Sequence, residues 1–141
     1  VLAIDLEEEN MPRVFTSKIR VRSYELDSFG HVNNATYLQY LEAARCDHLL
    51  QVGLSFNDFQ KWGAFPVVTE AHLHYRLPLI ADDVIEVRGT FLEWKRSSFA
   101  VEYEVVKPDG TLVLTARMVF VFVNGQGRPI RVPEAFREAF S

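Results

Sequence analysis

One change of period constrains this chain more than any other feature. Tyr37, Leu41, Ala44, His48, Leu49 and Val52 recur at steps of three and four, marking one helix from Ala35 to Val52. From Phe65 onward the pattern alternates instead, and strands read at Phe65–Tyr75, Asp83–Glu93, Ser98–Lys107 and Thr111–Val123. A further strand precedes the helix: over Val14–Arg22, Phe15, Ser17, Ile19 and Val21 share one face, and Lys18, Arg20 and Arg22 the other. The helix, roughly 27 Å long, carries an apolar stripe that only the sheet can bury. The fold class is therefore α+β, one long helix on a five-stranded antiparallel sheet, with consecutive strands expected as neighbours. A single helix cannot cover five long strands, so an extra partner surface, and hence a homo-oligomer, is expected.

The punctuation agrees with this order. Gly53 marks the end of the helix, and a short helical turn reads at Phe56–Trp62. In VVKPDGTLV an Asp-Gly pair between two β-rich runs signals a hairpin. The stretch TLVLTARMVFVFV turns apolar on both faces, which predicts a central strand or a subunit contact; PEAFREAF reads as a short tail helix. Residues 14–141 form one domain, and residues 1–13, with Glu7, Glu8 and Glu9, read as a solvated, mobile acidic segment.

Composition narrows the function classes. A formal net charge of -4 argues against nucleic acid as a partner. Cys46 is the only cysteine, so there is no intrachain disulfide or cysteine-based metal site; its place in the helix favours a structural thiol. No apolar run approaches the ~18 residues of a membrane span, and the first residues lack the basic-then-apolar order of a signal peptide, so a cytoplasmic setting is expected. Eleven phenylalanines suggest a core or pocket lined with rings, and Phe29, Phe56, Phe59, Trp62 and Phe65 are candidates for an apolar pocket.

Just ahead of the helix, residues 27–34 read DSFGHVNN. Asn34 is the expected N-cap. Free N–H groups at a helix start, with the positive end of the helix dipole, suit a developing negative charge, and Asp27 supplies a carboxylate beside them. On spacing alone an aspartate here is more often a turn former than a catalyst. Gly30 suits a positive φ or close backbone approach, and the Asn33 and Asn34 amides can hold a water or the loop itself. His31 is a tempting base. His48 reads as a satisfied core or interface residue. His72 and His74 share a strand face, but no third metal ligand is evident.

The run Tyr24-Glu25-Leu26-Asp27-Ser28-Phe29-Gly30-His31-Val32-Asn33-Asn34-Ala35-Thr36-Tyr37, followed by Tyr40-Leu41-Glu42-Ala43-Ala44-Arg45, resembles the signature of hotdog-fold thioesterases, in the 4-hydroxybenzoyl-CoA thioesterase-like branch. The resemblance extends from Val14 to Val123. It implies a hotdog fold, a long central helix wrapped by the sheet, with two subunits joined around paired active sites in a homodimer, or in a homotetramer made of two such dimers. It also implies an acyl-CoA thioesterase of lipid metabolism, with no metal or redox cofactor, and an acyl-carrier-protein thioesterase as alternative. Asp27 then falls on the catalytic acid, as nucleophile or general base, and the backbone N–H of Asn34 on the oxyanion hole. His31 falls to shaping the loop, and Tyr37 and Phe29 to the pocket wall. Glu42 is the runner-up acid, because a second branch carries its acid on the helix; otherwise it is structural and pairs with Arg45. Lys95, Arg96, Ser97 and Ser98, between two strands, suit the phosphates of coenzyme A, with Arg128 secondary and Arg76 weaker. Hotdog dehydratases rely on a His-Phe-Pro type motif that is missing here. A non-catalytic acyl-CoA-binding module remains a further alternative.

Overall fold

The computed structural model describes residues 12–141; the acidic stretch read at residues 1–13 lies, but for its last two positions, outside them. The chain runs β1 (Val14–Arg20), a 3-10 turn (Ser23–Glu25), α1 (Thr36–Gln51), α2 (Phe56–Trp62), β2 (Phe65–Tyr75), β3 (Val84–Leu92), β4 (Ser98–Val106), β5 (Leu112–Val123) and α3 (Glu134–Phe140). The five strands form one antiparallel sheet in the order β1-β3-β4-β5-β2, with the long helix on one face as the resemblance implies. Boundaries move from the sequence reading by one or two residues, as fraying ends do.

One expectation fails. β2 and β3 follow each other in the chain but are not neighbours: β2 pairs with β5 alone, and β3 lies between β1 and β4. The reason lies in the connecting segment. Leu79 is fully buried and its carbonyl accepts from Val32 N–H at 2.9 Å, while Val21 N–H donates to Asp83 and Asp82 N–H donates to Val21. Pinned under the Asp27 loop and against the end of β1, the chain is carried across the sheet rather than turned back. The Asp-Gly hairpin between β4 and β5 does form, with Gly110 at φ +89° and Lys107 N–H bonded to Thr111 at 2.9 Å.

One face of the sheet is mostly apolar, with Ser17 as a polar position that donates to Asp47 of α1. The pairings Gly89–Tyr103, Tyr103–Ala116 and Ala116–Leu73 run across it in a row, as do Phe99–Phe120 and Phe120–Val68. α1 lies on this face, packed against β1 and β3, with Tyr37, Tyr40, Leu41, Ala44, His48 and Leu49 buried. Gly89 lets it come close, because a Cβ there would stand 3.2 Å from His48 Cε1. α1 leaves the far side of the sheet uncovered: Val68 and Tyr75 of β2 stay half exposed, and the outer edge of this 11-residue strand is unpaired. No helix among the described residues is long and apolar enough to cross a membrane.

Candidate active site

The loop ahead of α1 is built from its own main chain. Asp27 N–H donates to the His31 carbonyl at 2.7 Å, and Gly30 N–H donates back to the Asp27 carbonyl at 3.0 Å. Gly30 takes φ +77°, which a side chain would strain. Asp27 Oδ1 accepts from Phe29 N–H at 2.9 Å and His31 N–H at 3.2 Å. The aspartate is thus the turn former that spacing favoured, yet this occupies one carboxylate oxygen only. Oδ2 has no partner among the described residues.

The helix start follows the same logic, with a correction. Asn33, not Asn34, does the side-chain capping, of the turn that leads through the N-cap position Ala35 into α1: its side-chain oxygen accepts from Ala35 N–H and its carbonyl accepts from Thr36 N–H, both at 2.9 Å. Asn33 N–H is itself held by the Glu25 carbonyl at 2.9 Å, which fixes which of the two asparagines serves as cap. Val32, Asn33, Ala35 and Thr36 therefore all have N–H partners, and the Asn34 N–H has none among the described residues. It lies at the positive end of a 16-residue helix.

Asp27 and Asn34 share one cleft of about 410 Å³, walled by His31, Tyr37, Tyr75 and Arg76. Tyr75 Oη donates to the Asn34 carbonyl at 2.8 Å, and its ring meets Tyr37 edge-on at 5.3 Å. Burial raises the Tyr37 phenol above its usual range, and burial together with a bond to Glu25 does the same for Tyr40, so both remain protonated donors near neutral pH. The Tyr40 hydroxyl donates to Glu25 Oε1 at 2.8 Å. Sequence reading missed Tyr75 and Glu25. The YELD run held a signal for Glu25; Tyr75 is 41 residues from its partner and had none.

The other candidates lie elsewhere. Phe29 is 85% exposed and lines no cavity with Asp27. Glu42 is exposed and makes no ion pair among the described residues; Arg45 turns away from it to donate to Tyr103 Oη at 3.0 Å and to rest on the Phe120 ring. Glu42, Arg45 and Cys46 stand over a separate apolar cavity of about 130 Å³, walled by Phe56, Phe59, Phe91, Phe99, Phe120 and Phe136. Of the five residues proposed for an apolar pocket, Phe56 and Phe59 are therefore in one. Burial pushes the Cys46 thiol up, as suits a structural cysteine. His48 is fully buried as expected but not satisfied: neither ring nitrogen has a partner among the described residues. His72 and His74 line a shallow depression on the opposite face of the sheet from α1, and no group of three metal-binding side chains occurs among the described residues.

Lys95, Arg96, Ser97 and Ser98 form the β3–β4 turn, at the opposite end of the sheet from Asp27. Nine-residue β4 separates the two ends, on the order of 30 Å. β5 and the tail both bind there: Phe122 N–H of β5 donates to the Ser97 carbonyl at 2.8 Å, and from the tail Val132 N–H donates to the Arg96 carbonyl at 2.8 Å and Arg137 to the Lys95 carbonyl. Arg131 and Arg137 thereby join Lys95 and Arg96 around a cavity of about 440 Å³. Arg128 sits in the turn after β5 at this same end, its N–H bonded to Asn124.

A family model described as the thioesterase-like superfamily matches residues 21–140. The long-chain acyl-CoA thioesterase FadM of Escherichia coli is 32% identical over 114 residues, 77% of this chain and 82% of FadM. The chloroplastic acyl-acyl carrier protein thioesterase ATL3 of Arabidopsis thaliana is 27% identical over 87% of this chain, which spans 65% of ATL3. The crystal structure of a hypothetical protein from Aquifex aeolicus superposes with a TM-score of 0.85 at 31% identity, covering 90% of this chain and 99% of that one.

Proposed function

The chain belongs to the thioesterase-like superfamily, and on that premise we propose that it hydrolyses fatty or aryl acyl-CoA thioesters to a free acid and coenzyme A. One observation carries the reading: an unpaired amide at a helix start, Asn34 N–H, shares a cleft with a carboxylate that has one oxygen anchored and the other free. The thioester oxygen faces Asn34 N–H, where charge developing on it meets a donor and the helix dipole. As general base, Asp27 Oδ2 takes a proton from water while the water oxygen bonds to the thioester carbon. The tetrahedral adduct then expels the thiolate, which recovers the proton. As nucleophile, Oδ2 bonds to carbon itself, the thiolate leaves, and water cleaves the mixed anhydride. The anchored Oδ1 fits either route.

Likeness to FadM supports a fatty acyl group, and the phenylalanine-walled cavity offers apolar surface for one. Likeness to ATL3 favours a carrier-protein thioester as the second reading. The cationic end of the sheet receives the phosphates, and it does so for a second copy of the chain. Antiparallel pairing of the free β2 edge with its counterpart turns the Lys95–Arg96 end of one subunit toward the Asp27 end of the other. Half-exposed Val68 and Tyr75 on β2 support that association.

The test is thiol release from a panel of acyl-CoA and acyl-carrier-protein thioesters by wild type and Asp27→Asn. Turnover on acyl-CoA that falls at least ~100-fold in the variant is expected. Activity on carrier-protein thioesters alone selects the second reading, and binding without turnover leaves an acyl-CoA-binding module.

A further inference from the structure

Among the described residues, Asn34 is the one position from Val32 to Thr36 whose N–H has no partner, and its own loop holds it only indirectly. Asn33 on one side and Ala35 on the other are tied down by Glu25 and by the Asn33 side chain. The contact that reaches Asn34 itself from outside the loop is Tyr75, the last residue of β2, whose hydroxyl donates to the Asn34 carbonyl at 2.8 Å. A carbonyl oxygen has two lone pairs, so this bond adds to whatever the helix supplies rather than replacing it.

The tyrosine is itself braced. Its ring stands edge-on to Tyr37 at 5.3 Å, Tyr37 stands edge-on to Tyr40 at 6.0 Å, and the Tyr40 hydroxyl ends on Glu25 Oε1 at 2.8 Å. Glu25 also supplies the carbonyl that holds Asn33 N–H. Three tyrosines thus join the edge strand, the helix and the 3-10 turn to the main chain on both sides of the Asn34 amide. A fold in need of this helix start for stability alone has the Asn33 cap already.

We propose that Tyr75 is a positioning residue for the Asn34 amide: its hydroxyl fixes the main chain at Asn34 so that the free N–H points at the substrate oxygen. This rests on the assignment of Asp27 and Asn34 given above. The interaction matters most when charge is on that oxygen, in the transition state, so its loss lowers kcat and leaves KM in place.

The experiment is Tyr75→Phe, which keeps the ring and removes the hydroxyl, with Tyr24→Phe as control and Asp27→Asn as reference. Tyr24 is exposed and its hydroxyl meets only Arg22. In Tyr75→Phe, kcat on acyl-CoA falls about tenfold with KM within about twofold, less than the loss from deleting a direct donor. The backbone amide resonance of Asn34, followed without substrate, shifts in Tyr75→Phe and not in Tyr24→Phe. An unchanged kcat, a change confined to KM, or an unmoved Asn34 resonance overturns the proposal while Asp27→Asn stays inactive. Full activity in Asp27→Asn overturns the site assignment itself, and the Tyr75 proposal with it.

Discussion

The two ends of the sheet are built by different means. At the Asp27 end the geometry is a matter of donors and acceptors: the loop side chains from Asp27 to His31 are exposed, and bonds of 2.7–3.2 Å from main-chain N–H groups decide where each group points. At the other end the rings of β3, β4, β5 and α3 pack on one another around the apolar cavity, with Phe91 on Phe140 at 4.1 Å and Phe99 on Phe120 at 5.2 Å, and the cations stand outside them. The first end should tolerate changes of volume and suffer from changes of hydrogen bonding. The second should do the reverse.

The largest effect tests the packed end. Phe99 is 2% exposed amid five neighbouring rings, and Phe99→Ala is expected to cost about 3–5 kcal/mol of stability in denaturant unfolding. A loss below about 1 kcal/mol would erase the contrast.

His48 comes next. Burial holds it neutral in the folded chain, its pKa lowered to about 4, while the unfolded chain binds a proton near the usual 6.5. Below that value the unfolded state carries the extra proton, so stability falls as the pH drops from about 6.5 to about 4 and is unaffected above. The full loss is about 3 kcal/mol. The facing charges are Asp47 and Arg45, and the first offsets part of the desolvation. Unfolding midpoints of wild type and His48→Leu compared at pH 7 and pH 4.5 should show the variant with the flatter response.

Smaller effects belong to the hydrogen-bonded end and to the cations. Asn33→Ala removes the cap and should cost about 1 kcal/mol, with turnover falling further than that loss of stability explains. Replacing Arg96 and Arg131 by Ala should raise KM for acyl-CoA severalfold at low ionic strength, a difference that shrinks with added salt. Mixing that double variant with Asp27→Asn should restore activity if each site is shared between two copies; mixtures no better than their parts would keep the cations and Asp27 within separate functions.

The elements themselves were legible, because period and turn chemistry are local. Phe56–Trp62 and Phe65–Tyr75 coincide with the reading from sequence, and the Asp-Gly hairpin forms where it was expected. Strand order was not, since it depends on Leu79 and Asp83 being pinned by residues about 50 to 60 positions away. The choice between Asn33 and Asn34 as cap was hidden for a similar reason: the two side chains are identical, and Glu25 and Tyr75 decide between them. The basic turn at Lys95–Arg96 was visible, but its distance from Asp27 and its enlargement by Arg131 and Arg137 depend on how the tail folds back.

The central claim is that the thioester is cleaved at the loop, by Asp27, and not on the helix. Saturating turnover of one acyl-CoA by Asp27→Asn and Glu42→Gln, each confirmed folded, tests it most directly. A loss of at least ~100-fold is expected for the first and little change for the second. The opposite pattern, an active Asp27→Asn beside an inactive Glu42→Gln, would contradict it.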